Sequence, residues 1–408
     1  VPSAPLRVVG TLGTAQTLAW ASSYYLPAML AAPMARELGL PTPAVYAAFS
    51  GALIASALVG PWAGQAIDRH GGRVVLVGTS LLFALGLAML GMSQGLWTMV
   101  IAWLVLGVAM GSGLYEAAFS SLVRLYGHHA RGAITGITLI AGFASTVGWP
   151  ISAWMETQFS WRGACFGWAI MHVLIGLPLN SLLPRAAVAA KIEKPPVDDQ
   201  TQAETSSTSA PARQGLTAAL LAFVFAATWF ISTAMATHLP RMLEAAGSSL
   251  AAAVAIGALI GPAQVAGRLL EFGLLRNVHP LLSARLAALA HPLGVSVLLI
   301  AGPALAPAFA ILHGAGNGIL TIAKGTLPLA LFGTQGYGAR QGWLMMPARV
   351  AQALAPFLFG LALDAWGANA LLLSGAIGLM AFGALMKCGK CERFILKSLQ
   401  DKVISENR

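Results

Sequence analysis

Twelve apolar runs, each near the roughly 20 residues that carry a helix through the hydrocarbon core of a bilayer, divide this chain. They lie near 8–33, 43–66, 74–93, 96–123, 132–155 and 161–184, then near 215–240, 249–273, 281–301, 304–331, 341–363 and 367–387. In lipid every backbone N–H and C=O must be satisfied within the protein, so runs of this length are helices. Composition agrees: 57% of the residues are hydrophobic and 9% charged, against roughly 25% charged in a soluble domain. A soluble fold has nowhere to hide that apolar surface, whereas lipid replaces the polar exterior. The 45 Gly and 22 Pro would break soluble helical cores but are tolerated in membrane helices, where neighbours re-satisfy the backbone. Three cysteines, Cys165, Cys388 and Cys391, give no disulfide framework. The first apolar run is too long and too weakly flanked by basic residues for a cleavable leader.

Residues 185–214 interrupt the pattern with the polar stretch KIEKPPVDDQTQAETSSTSAPARQ, which cannot bury enough surface to fold and reads as a flexible linker. Landmarks recur on either side of it. Gly60-Pro61 is matched by Gly261-Pro262, Gly111-Ser112-Gly113 by Gly316-Asn317-Gly318, and Pro150 by Pro356, each pair just over 200 residues apart. The expected fold class is therefore an all-α membrane protein whose twelve transmembrane helices form two pseudo-symmetric six-helix bundles, 1–184 and 215–387. A basic tail, 388–408, follows. It holds Cys388-Gly-Lys-Cys391 and reads as reduced and disordered, with Lys387, Lys390, Arg393 and Lys397 meeting anionic lipid.

The net charge of +10 is a topology signal and implies no nucleic-acid partner. Arg69, Arg73, Arg124, Arg131, Arg185, Lys191, Lys194, Arg213, Arg276, Arg285, Arg340 and the tail cations fall on one side; Arg36, Arg162 and Arg241 fall on the other. The positive-inside rule then places both termini and the linker in the cytoplasm, with the chain in the inner (cytoplasmic) membrane.

The loop after the second helix reads Gly64-Gln65-Ala66-Ile67-Asp68-Arg69-His70-Gly71-Gly72-Arg73. Gly64 permits close helix contact, Gly71 and Gly72 make a tight turn, and Asp68 can face a helix N-terminus, whose dipole favours an anion. Arg69 and Arg73 anchor the loop at headgroups or pair with acids. In composition and position this loop resembles the signature loop of the major facilitator superfamily, over about 7–387. The resemblance implies two bundles around a central cavity, working by alternating access, with Gly64, Asp68, Arg69, Gly71 and Arg73 as a gating motif. Further stretches resemble the monocarboxylate porter and oxalate–formate antiporter branch: Tyr24 with Pro27, Arg131-Gly132-Ala133, Trp161-Arg162 and Gly267-Arg268. The fifth helix reads Gly142-Phe-Ala-Ser-Thr-Val-Gly148-Trp149-Pro150 and lacks the Gly-Pro-x-x-Gly-Gly-like pattern usual in proton-driven drug exporters.

Ionisable groups at membrane depth are costly and are functional candidates by default. Glu116, Arg268, Lys324 and Arg349 stand out, and three cations against one acid leave a positive interior that an anionic solute would complete. His313, Asn317, Thr321 and Lys324 fall on one stripe of the tenth helix, and Ser112, Glu116 and Ser120 on one of the fourth. Gln16, Trp20, Ser23 and Tyr24 share a face of the first, and Gln264 lies one turn from Arg268. The resemblance implies that the first, fourth, seventh and tenth helices line the cavity. It also implies that Arg268 binds a substrate carboxylate, with Arg349 as the second cation. Arginine forks suit carboxylates because they bind bidentately. Proton-coupled relatives often carry Asp where Gln264 stands, so proton coupling is either absent or carried by Glu116.

The expected substrate site is Arg268, Lys324, Arg349, Gln264, Asn317, Tyr24 and Gln16, with Glu116 for proton coupling and no cofactor, resident metal or enzymatic step. The expected activity is secondary active transport of a small organic anion, a mono- or dicarboxylate, by antiport or proton-coupled symport. Proton-driven efflux of a drug-like or metallophore compound is the alternative. A metal-ion route is a minor one, since Met235, His238 and Met242 share a helical face and suit Cu(I). His128-His129 lacks the supporting acid that an intramembrane transferase would need.

Overall fold

A computed structural model describes residues 6–185, 211–275 and 278–406. The first half of the chain forms α1 (Leu6–Ser22), α2 (Leu26–Glu37), α3 (Thr42–His70), α4 (Gly72–Gly91), α5 (Leu96–Gly113), α6 (Tyr115–Tyr126), α7 (Ala130–Ala141), α8 (Ala144–Met171) and the short α9 (Leu177–Ser181). The second forms α10 (Pro211–Ala245), α11 (Leu250–Ala258), α12 (Ile260–Gly273), α13 (Pro280–Ala301), α14 (Ala306–Phe332), α15 (Tyr337–Trp366) and α16 (Ala370–Glu406). No strand occurs among the described residues.

Among the described residues, seven helical runs are long and apolar enough to cross a membrane, and Leu96–Ser181, Pro280–Phe332 and Tyr337–Cys388, at 86, 53 and 52 residues, each hold more than one crossing. Cut at their internal turns, and with the bent pair α1–α2 added, these runs make the twelve expected spans. One turn is hidden inside α8, where Ser160 takes a left-handed backbone (φ 67°) between the fifth and sixth spans. Several spans read as continuous are broken. The first turns at Ser23–Tyr25, with Pro27 in the opening turn of α2. The eighth is divided at Leu259, with Pro262 just inside α12. Proline suits a first helical turn because the N–H it lacks would be unsatisfied there anyway. The fourth span breaks at Leu114 (φ −83°, ψ −162°), directly after Gly113. The sixth loosens into a π-turn over His172–Gly176.

Two further expectations meet the structure differently. Of the expected linker, 185–214, residues 186–210 lie outside the described residues, and 211–214 already belong to α10. The expected disordered tail is replaced by α16 continuing to Glu406, a stretch with no proline to stop it.

Each half carries its own hydrophobic core. One core fills the first bundle around Leu12, Phe83, Trp103 and Trp168. The second bundle has two, around Phe225 and Leu327 and around Phe309 and Phe359. Large apolar side chains also face outward, among them Trp62, Leu174, Ile300 and Phe357, as a lipid-facing surface requires. The Trp161-Arg162 pair stays within the first bundle. Trp161 Nε1 donates to Glu37 Oε2 (2.6 Å) and Arg162 Nε to Glu37 Oε1 (2.7 Å). Those contacts, led by Arg162, hold the Glu37 carboxyl below its ordinary value.

Candidate functional site between the two halves

The halves meet along α3 and α15, whose glycines remove the side chains that would hold the backbones apart. Gly60, Pro61 and Gly64 of α3 lie against Gly342 and Gly338 of α15; a Cβ on Gly64 would strike the Gly338 carbonyl, and one on Gly342 would lie 2.5 Å from Pro61 Cα. Small residues at this spacing let membrane helices approach closely. Beyond the glycines, Ser50 Oγ donates to the Ala353 carbonyl at 3.4 Å.

In the middle of the bundle an aromatic cage closes over three charges. Trp20 of α1 and Trp229 of α10 stack with centroids 6.3 Å apart. Tyr115 and Tyr24 lie 4.9 and 5.3 Å from Trp20. Lys324 of α14 sits with Nζ 4.0 Å from the Trp229 centroid. Arg349 of α15 has its guanidinium carbon 5.2 Å from Trp229 and 5.8 Å from Trp20. Its Nη2 donates to both oxygens of Glu116, at 3.0 and 2.9 Å, and its Nη1 to Gln352 Oε1 at 3.0 Å. Glu116 and Arg349 come from different halves, so this bidentate pair ties the bundles together at their centre.

Lys324 has no such partner. Only 4% of it is exposed, and no carboxylate pairs with it among the described residues. Arg268 is nearly as buried and also lacks a carboxylate among the described residues; its Nη1 donates across the interface to the Thr138 carbonyl (3.2 Å). Gly142 makes room there, since a Cβ at that position would strike Arg268 Nη1. Four buried donors near this centre have no acceptor: Trp20 Nε1, Trp229 Nε1, Arg268 Nε and Gln352 Nε2. Unsatisfied buried donors each cost about 1–3 kcal/mol. The centre is therefore rich in positive charge and N–H groups and short of acceptors.

Toward the end of the molecule where Arg69, Arg131 and Arg340 gather, here called the basic face, two polar contacts close the interface. Gly71, with φ 86°, ends α3 in a conformation that favours glycine. That turn leaves Asp68 at the N-terminus of α15, where Oδ1 accepts from Gly338 N (3.0 Å) and Oδ2 from Ala339 N (2.9 Å). A carboxylate there satisfies orphan N–H groups and meets the positive end of the helix dipole. Arg131 of α7 makes the opposite arrangement at the end of α12. It donates to Glu271 Oε1 (2.9 Å), Leu275 O (3.2 Å) and Val278 O (2.8 Å). An anion thus holds the start of one helix and a cation the end of another.

The expected site residues do not all arrive together. Lys324, Arg349, Glu116 and Tyr24 converge on the cage, and Arg268 lies within electrostatic reach of Lys324 and Tyr115. Gln16 lines a separate pocket of the first bundle. Gln264 is half-buried, its backbone against Gly318 of α14. Asn317 Nδ2 donates to Ser232 Oγ (2.9 Å). Arg69 is exposed and Arg73 partly so. The polar stripe of the tenth helix splits: His313 Nδ1 bonds His291 Nδ1 (3.0 Å) inside the second bundle, while Lys324 faces the cage. The stripe of the fourth helix splits at Leu114, so Ser112 meets Thr79 while Glu116 meets Arg349. His238 Nε2 is spent on the Pro356 carbonyl (2.7 Å), and Met235 and Met242 pack into a core. No cluster of three or more metal-ligating His, Cys, Asp or Glu occurs among the described residues. The contributions of Trp229 and Gln352 were missed from sequence; Trp229 had a signal, being an aromatic at mid-depth of a cavity-lining helix.

Two apolar bundles that meet over a buried, donor-rich centre, with a polar closure on the basic face, define a membrane transporter. This chain belongs to the Major Facilitator Superfamily, whose family model matches residues 12–306. Solved structures agree at the level of fold. The Major Facilitator Superfamily transporter FucP in the outward conformation superposes with a TM-score of 0.70 at 15% identity, covering 93% of this chain and 98% of that one. The proton:xylose symporter XylE does so with 0.69 at 13%, covering 94% of each. The human organic anion transporter MFSD10 (TETRAN) gives 0.66 at 15%, covering 94% of this chain and 100% of that one. Among curated proteins, a multidrug resistance protein B homolog of Mycobacterium tuberculosis (strain CDC 1551 / Oshkosh) is 30% identical over 148 residues, 36% of this chain. The match spans about a quarter of that relative's length (26%).

Proposed function

We propose that this transporter carries a small organic anion, a carboxylate with an apolar or aromatic body, by alternating access. The observation behind this reading is Lys324, buried against Trp229 with no carboxylate partner among the described residues. A charge in that setting calls for a counter-charge. The unsatisfied indole, guanidine and amide donors around it call for acceptors, and a carboxylate supplies both. Arg349 is already neutralised by Glu116, so Lys324 and Arg268 are the cations left for the solute. The resemblance to the carboxylate-porter branch points to the same residues. The basic face is the cytoplasmic one by the positive-inside rule, in the inner membrane with both termini cytoplasmic. The conformation described is then the one closed to the cytoplasm, with Gly64, Asp68, Arg69, Gly71 and Arg73 forming part of the gate. Coupling is by exchange or through a proton on Glu116.

Counterflow in proteoliposomes against a panel of mono- and dicarboxylates tests the reading, followed by calorimetric binding of the best substrate. A charge-assisted hydrogen bond is worth about 1.5–3 kcal/mol, and a tenfold change in affinity about 1.4. Lys324→Gln and Arg268→Ala should each weaken binding by about tenfold to a hundredfold, with Arg268→Lys rescuing only in part because an ammonium lacks the planar fork. Parental affinity in both well-folded variants would overturn the assignment. Efflux of a drug-like compound is the second reading, favoured by the cage of Trp20, Trp229, Tyr24 and Tyr115. Counterflow of neutral aromatic compounds, with none of carboxylates, would select it.

A further inference from the structure

Away from the cage, inside the first bundle, a small pocket is lined by Gln16, Thr79, Ser80, Gly113, His172 and Asn180. Its volume is about 10 Å³, room for a single water-sized occupant. The orientation of both amides is set by the carbonyls they serve. Gln16 Nε2 donates to Gly113 O at 2.7 Å, so a flipped amide would place oxygen against oxygen. Asn180 Nδ2 donates to Ser80 Oγ (2.9 Å) and Leu76 O (3.3 Å). Each amide is left with its oxygen buried and without a donor: Gln16 Oε1 and Asn180 Oδ1. The residues themselves are 2% and 8% exposed.

The hydroxyls add lone pairs and no hydrogens. Ser80 Oγ donates to Leu76 O (3.1 Å) and Thr79 Oγ1 to Val75 O (2.8 Å), both back along their own helix. His172 Nε2 is engaged by Ser22 Oγ at 2.7 Å. The Gly113 carbonyl belongs to the last residue of α5, where the fourth span is broken. Half-helix C-terminal ends and unwound carbonyls carry partial negative charge and favour cations inside membranes. His172 and Gly176, on the facing wall, bound a π-turn, a geometry frequent at functional sites. Where the cage leaves donors unpaired, this pocket leaves two amide oxygens unpaired. A water brings two hydrogens and satisfies the two amide oxygens alone. A small cation is coordinated by amide, hydroxyl and carbonyl oxygens together.

We propose that this pocket binds a sodium ion, with Gln16 Oε1, Asn180 Oδ1, the Thr79 and Ser80 hydroxyls and the Gly113 carbonyl as its oxygen ligands. Neutral oxygen donors in a space for one small occupant suit a hard monovalent cation. Binding draws α1, α4, α5 and α9 onto one centre. Gln16 lies one helical turn before Trp20, so the ion holds in place the residue that stacks on Trp229 in the cage. The site stands whatever solute the cage accepts.

The test uses the purified full chain in detergent, melted in NaCl, KCl or choline chloride at constant ionic strength, with direct binding of radioactive sodium alongside. Sodium should raise the melting temperature saturably, and potassium, being larger, should not. Asn180→Leu and Gln16→Leu should each weaken the half-saturating sodium concentration by about tenfold or more. Their melting temperatures in choline give each variant its own baseline, since leucine removes the unsatisfied oxygen but also the N–H groups that serve Gly113 O, or Ser80 Oγ and Leu76 O. Asn180→Asp keeps the shape and adds a charge, and should tighten sodium binding. Absence of sodium-selective stabilisation and of sodium binding in the parent would overturn the proposal and leave the pocket to water. Sodium dependence undiminished in both leucine variants would overturn it too, placing the ion elsewhere.

Discussion

Glu116 and Arg349 form the one ion pair at the centre of the bundle among the described residues, and each belongs to a different half. On the proposed reading of Glu116 as the proton carrier, its protonation removes the counter-charge of Arg349 and weakens the central tie. Glu116→Gln keeps an oxygen for Arg349 but cannot titrate. In proteoliposomes the variant should lose pH-driven accumulation and retain solute exchange, since exchange needs no net protonation cycle. PH-driven accumulation equal to the parent's would show that the proton travels elsewhere.

The pairing of α3 with α15 depends on what is missing from both helices. Gly64 and Gly338 touch through their backbones, and the same approach brings Asp68 to the first N–H groups of α15. A side chain in that contact must push the helices apart and carry Asp68 away from its donors. Gly64→Val is therefore expected to disfavour the closed basic face without disturbing either bundle's own core. Spin labels at Arg69 and Arg340 would report it: the distance distribution should shift to longer values and turnover should fall. An unchanged distribution with normal turnover would mean that the close approach is not needed.

Closure of the whole molecule on the basic face rests on two separated contacts of opposite sense, Asp68 on α15 and Arg131 on α12. Arg131 binds both a carboxylate and two backbone carbonyls, so its role is only partly that of an ion pair. Arg131→Ala should raise the open population, and Glu271→Ala should do so less. The exchanged pair Arg131→Glu with Glu271→Arg should recover part of the closure, because the carbonyl bonds to Leu275 and Val278 are not restored. Interaction energies within such networks run to about 0.5–3 kcal/mol. Measured by the same spin-label distances, strict additivity of the two alanine changes would show that the residues act independently.

Much of this organisation was legible from residue order alone. Apolar runs matched to bilayer thickness specify the number of crossings, because lipid forbids unsatisfied backbone. The Gly64–Arg73 loop carried the family, since turn glycines and a capping acid keep their meaning wherever they stand. The buried charges were visible as Glu116, Arg268, Lys324 and Arg349, because an ionisable residue within an apolar run announces its own cost. Which of them pair was decided only by packing. Glu116 and Arg349 are separated by 233 residues, and no periodicity relates helices of different bundles. The breaks at Leu114 and Leu259 also escaped helical periodicity, and the one at Leu114 sent Ser112 and Glu116, expected on one face, into different environments. Gln16 shows the same limit. Its place on the first helix was plain, but whether its amide oxygen met the cage or the small pocket depended on where the broken end of α5 came to rest. Burial cost is written locally in a sequence; the partner that offsets it is a property of the assembled bundle.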